Sequence, residues 1–82
     1  MNNEIDRLTE LFRDILEKPD LILVPELDGK SEEKWDSFSH INLMIAVEEE
    51  FELTFTPTEI EESRNAENLV KIMAEKGSNI HW

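Results

Sequence analysis

Eighty-two residues, 39% of them hydrophobic, with 20 acids against eight bases describe one small domain of formal net charge −12. The absence of cysteine excludes disulfides, thiolate metal sites and cysteine nucleophiles, and the negative charge repels phosphate backbones, so no nucleic-acid partner is expected. No apolar stretch reaches the ~18 residues of a membrane span and Met1 to Arg13 is too charged for a secretory signal, so no membrane partner is expected and the expected compartment is the cytoplasm.

Asn3 is positioned to cap a first helix whose opening turn carries Glu4 and Asp6. Ile5, Leu8, Leu11, Phe12, Ile15 and Leu16 recur at three- and four-residue steps and form one apolar stripe. Pro19 stops the helix near Glu17 or Lys18. Residues 19–36 then form a long connection. Its apolar run Leu21 to Val24 has no partner strand and is expected to drape over the helices; Asp28-Gly29-Lys30 reads as a turn. Ser37 to Glu52 is helical, with Leu43, Met44, Val47 and Phe51 on one stripe and Phe38, Ile41 and Ile45 on a second. That second stripe is either core or an exposed contact strip, Phe38 leaning toward contact.

Thr56-Pro57-Thr58-Glu59 is a capping box with proline in its preferred place, opening a short third helix over Thr58 to Glu62. Asn65 caps a fourth, Ala66 to Lys76, with Leu69, Val70, Ile72 and Met73 inward and Gly77 as terminator. Residues 78–82 read as a tail whose Ile80 and Trp82 either pack or stay free. The expectation is an all-α domain over residues 1–82 with its core at about 4–76: a four-helix bundle with a long first loop and a short third helix.

The charge is uneven. Residues 36–63 hold Asp36, Glu48, Glu49, Glu50, Glu52, Glu59, Glu61 and Glu62 with no lysine or arginine, net −8 on 28 residues. Such a run is either a solvated helix face or a docking surface for basic partners. Catalytic chemistry is poorly supplied. His40 and His81 have no neighbouring ligand at metal spacing, and a Ser37–His40 pair would lack an orienting third group and a cleft. Asp28 to Ser39 is not a calcium loop, since its sixth residue is Glu33 and its twelfth Ser39. What remains is Trp35-Asp36-Ser37-Phe38, at the junction of the long loop and the acidic helix. There Ser37 either occupies an ordinary first turn capped by Asp36, or offers a hydroxyl at a helix N-terminus that favours an attached phosphate.

Asp36-Ser37-Phe38, then Leu43, Ala46, Val47, Glu48-Glu49-Glu50-Phe51, Phe55, Glu59 and the Leu69-Val70 helix resemble an acyl carrier protein over about residues 4–76. The resemblance implies that Ser37 is esterified by 4′-phosphopantetheine, with Asp36 completing the modification site, and that the chain is a carrier and not an enzyme. The arm's thiol would hold acyl or aminoacyl groups as thioesters. Phe38, Ile41, Ile45, Glu48 and Glu49 would meet a phosphopantetheinyl transferase and acyl-activating, condensing or acyl-transfer enzymes through their basic patches, the carrier acting as a monomer. Ser39 and Asn42 stand where housekeeping fatty-acid carriers place acids, Phe38 replaces the usual leucine and Trp35 precedes the motif. This looks more like freestanding carriers of specialised pathways. The competing reading is a non-covalent acidic helical adaptor on the same fold.

Overall fold

A computed structural model describes residues 3–82, the side chain of Asn3 excepted, so the expected Asn3 cap lies outside the described residues. Four helices follow one another: α1 (Asn3–Ile15), α2 (Ser37–Phe51), α3 (Pro57–Glu62) and α4 (Ala66–Glu75). Leu8, Phe12 and Leu16 of α1, Leu43, Met44 and Val47 of α2 and Leu69, Val70, Ile72 and Met73 of α4 are all buried in one core. The all-α bundle expected from the periodicities is the fold.

The ends of the helices show how local chemistry sets them. α1 stops before Pro19 is reached. Glu17 turns left-handed at φ 56°, and the Lys18 and Glu17 amides bond back to the carbonyls of Arg13 and Asp14. That double closure is a Schellman cap formed without glycine. The α3 box is complete: Thr56 Oγ1 accepts from the Glu59 amide and the Glu59 carboxylate accepts from the Thr56 amide. Asn65 caps α4 by accepting from the Asn68 amide, and Gly77 takes the positive φ of 103° that ends it.

The long loop is fastened at three places, as Leu21 and Leu23 turn inward while Ile22 and Val24 face out. Arg13 Nε donates to the Leu21 carbonyl at 2.8 Å, and Lys18 pairs with Glu32 at 2.8 Å. Further on, the Ala66 amide donates to the Leu27 carbonyl and the Gly29 amide to the Arg64 carbonyl, pairing Asp28 with Asn65 across one antiparallel bridge. Gly29 permits this close approach, because an added Cβ would lie a tight 3.0 Å from the Trp35 carbonyl oxygen. Residues 78–82, expected as a tail, are half anchored: Ile80 is buried and Trp82 remains exposed.

Trp35 is the loop's deepest residue, fully buried and edge-on to Phe12 with ring centroids 4.9 Å apart. Its Nε1–H donates to His40 Nδ1 at 3.0 Å, and the other ring nitrogen of His40 faces the Ile60 carbonyl. An indole N–H can only donate, so Nδ1 accepts and the imidazole proton sits on Nε2, donated to Ile60. His40 is therefore held neutral in the core. Burial pushes its pKa below the ordinary histidine value, and the positive charge of Arg64 adds to that, against the opposing pull of the Ile60 carbonyl.

A buried neutral histidine binds its proton less readily than the unfolded chain does, so its contribution is intact above the unfolded pKa of about 6.5 and declines as pH falls below it. The stability gap between wild type and His40→Gln, measured by urea unfolding, should hold between pH 7.5 and about pH 6.5 and narrow from there to pH 5.5. A gap constant across that window would show that His40 is not held neutral.

Candidate functional site

Only one face of α2 enters the core. His40, Leu43, Met44 and Val47 are buried, and at 100° per residue the mean direction of Phe38, Ile41 and Ile45 lies about 140° away from them. These three are 76%, 57% and 50% exposed, which resolves the open question about the second stripe in favour of an exposed strip. The histidine takes the inward place that an apolar residue would normally hold. Ser37 and His40 accordingly form no pair: the hydroxyl is exposed, while both ring nitrogens are engaged by Trp35 and Ile60.

Ser37 is the first residue of α2, and Asp36 is its N-cap. The Asp36 carboxylate accepts from the Ser39 amide at 2.8 Å. This bond holds the carboxyl below its usual pKa despite partial desolvation. The Ser39 amide, one of the donors at the helix N-terminus, is thus already spent on Asp36. Of the two sequence readings of this turn, the structure bears out the Asp36 cap, and Ser37 keeps an exposed hydroxyl beside it.

The Ser37 Oγ receives a different partner. Arg64 Nη1, from the α3–α4 junction, donates to it at 3.3 Å. Arg64 is the first base after the 28-residue stretch without one, but its place beside Ser37 depends on the Leu27–Ala66 and Gly29–Arg64 bonds and had no local sequence signal. Beside it lies an open groove lined by Gly29, Lys30, Arg64, Asn65 and Asn68 together with Asp28, Glu61 and Glu62.

The expected acidic contacts divide. Glu49 is exposed, one turn beyond Ile45 on the strip, with its carboxylate in solvent. Glu48 is half-buried and accepts from the Phe55 amide at 2.9 Å, which fixes the turn between α2 and α3. Glu50 is clasped by Arg7, whose guanidinium bonds both its carboxylate and its carbonyl and lies over the Phe51 ring at 4.7 Å. Among the described residues no group of three or more His, Asp or Glu is placed to hold a metal, and no helix is long and apolar enough to cross a membrane.

A family model described as "Phosphopantetheine attachment site" matches residues 6–73. The fold is also similar to the solution structure of a holo acyl carrier protein from Geobacter metallireducens, with a TM-score of 0.79 and 25% identity, covering 95% of this chain and 97% of that one. No curated protein matches the chain. An exposed hydroxyl and a working cap should behave differently when removed. Ser37→Ala should leave stability within about 0.5 kcal/mol, whereas Asp36→Ala should cost about 1 kcal/mol, both read by chemical denaturation at pH 7.

Proposed function

This chain belongs to the phosphopantetheine-attachment family, and on that premise we propose that Ser37 is the residue that bears its arm. The chain is a non-catalytic carrier whose cofactor is covalently attached 4′-phosphopantetheine. When bound, the group supplies a thiol that holds cargo as a thioester. The residues present suit such a group. The observation that carries the proposal is a hydroxyl exposed on the first turn of α2, touched by one flexible side chain and clear of the core. A tether needs that freedom, since a transferase must reach the oxygen and the arm must afterwards swing away from the protein.

Asp36 is the second residue of the proposed site. Its ionised carboxylate ties down the first turn of α2, so Ser37 is offered on a rigid edge instead of a fraying one. Carriers of this family meet a phosphopantetheinyl transferase and biosynthetic enzymes. Phe38, Ile41 and Ile45 are proposed as the apolar centre of that contact surface, with Glu49 as its acidic border toward basic patches on acyl-activating, condensing or acyl-transfer enzymes. Glu48 contributes negative charge there while one of its oxygens serves the fold. The cargo is read as acyl or aminoacyl, and the chain as a monomeric carrier of a specialised pathway. Ser39 and Asn42 support this reading, because the surface next to Ser37 lacks the acids of fatty-acid carriers.

Coexpression with a broad-specificity phosphopantetheinyl transferase should add the mass of one arm to wild type and none to Ser37→Ala, by intact-mass analysis. An unmodified wild type would favour the non-covalent adaptor. For the docking surface, Glu49→Lys should slow transferase modification and flatten its dependence on salt, because exposed charges act on encounter rates through screened fields. Glu49 is preferred to Glu48 for this test, since changing Glu48 also disturbs the Phe55 turn.

A further inference from the structure

We infer that Arg64 holds the phosphodiester at the root of the arm and directs the arm into the polar groove beside it, away from the apolar strip of α2. The inference rests on the reading that Ser37 carries the arm. Three observations support it independently of the family.

The first is the place of Arg64. Arg7, Arg13, Lys18 and Lys76 are in ion pairs, whereas among the described residues Arg64, like Lys30, Lys34 and Lys71, is in none. Its guanidinium instead donates to the Ser37 hydroxyl. The second is an electrostatic demand. A phosphodiester on Ser37 would bring a negative charge next to the ionised Asp36, which already occupies the Ser39 amide. The helix end alone cannot compensate two adjacent anions, and a guanidinium already bonded to the esterified oxygen can. Its planar fork offers two parallel donors to phosphate oxygens.

The third is direction. The groove that Arg64 lines has a volume of about 580 Å³, within the roughly 300–1,000 Å³ of ligand clefts. Lys30 brings an ammonium group, and Asn65 and Asn68, whose Oδ1 and Nδ2 are bonded to the Asn68 amide and the Glu62 carbonyl, keep Nδ2 and Oδ1 as a donor and an acceptor suited to an arm built on amides. Asp28, Glu61 and Glu62 along the same walls repel the phosphate itself, which keeps the charged root at the Arg64 end. Asp28 is already bonded to the Lys30 and Ser31 amides and stays ionised. An arm leaving in this direction keeps Phe38, Ile41 and Ile45 clear for a partner.

The test compares ¹⁵N-labelled wild type, Arg64→Gln and Arg64→Lys before and after modification, with intact mass confirming the added arm in each. In wild type the amide shifts of Gly29, Lys30, Asn65 and Asn68 should change more than those of Ile41 and Ile45, and the Arg64 Nε–H signal should move. Arg64→Gln should lose the groove changes and narrow the ³¹P line of the modified protein, and Arg64→Lys should restore part of both. High salt should reproduce the glutamine result in wild type. Shift changes concentrated on Phe38 to Ile45, or a ³¹P line indifferent to Arg64→Gln, would overturn the inference and leave the attachment at Ser37 standing. No added mass on wild type would remove both.

Discussion

One hydrogen-bonded chain, Trp35 to His40 to the Ile60 carbonyl, joins the long loop, α2 and α3 within the first turn of the helix that Ser37 opens. Each member needs the others. The indole N–H is buried and must find an acceptor, the imidazole must be neutral to supply one, and the remaining ring proton needs a carbonyl. Meeting all three demands fixes the rotation of α2 about its own axis. Once His40 faces inward, residue 41 is turned away by 100°, and the strip of Phe38, Ile41 and Ile45 must face solvent. The same rotation leaves Ser37 on the rim.

That arrangement is the reverse of what an enzyme requires. An active site gathers groups into a sheltered cleft, whereas a carrier must hold its reactive oxygen clear of everything except what steadies it. The polar interactions near Ser37 are accordingly spent on the surroundings. Asp36 closes the helix, His40 anchors it, and the loop comes within bonding distance of the α3–α4 junction through Gly29.

The acidic middle of the chain is tolerated because distant bases are brought to parts of it. Arg7 of α1 reaches Glu50 near the end of α2, where carboxylates oppose the helix dipole, and Lys76 closes on Glu59 at 2.7 Å while lying 5.4 Å from the Phe55 ring centroid. Pairs this exposed contribute little individually. Glu49 and Arg64 are in neither pair: the one is exposed on α2 and the other stands beside the serine.

The four helices were legible in the sequence because their signals are local. The Thr56–Glu59 box, the Asn65 and Asp36 caps and the α1 and α4 stripes act within a turn or two, and the Asp-Ser-Phe motif with its Glu-Glu-Glu-Phe partner block marked Ser37. The Glu17 cap was not legible, since a left-handed glutamate has no composition signature and Pro19 offered a nearer explanation. Nor was the inward histidine: no local signal turns His40 toward the core, and the stripe of Phe38, Ile41 and Ile45 reads from sequence as either core or contact strip until that turn is known.

By itself the sequence determined which segments are helical and which hydroxyl stands at a helix start, because capping and periodicity are properties of neighbouring residues. Tertiary structure alone decided which face of α2 is buried, that Glu48 braces a turn while Glu49 stays free, and that Arg64 meets Ser37 from 27 residues away. Those outcomes depend on donors and acceptors supplied by elements far along the chain, and a buried polar group is stable only where such partners converge.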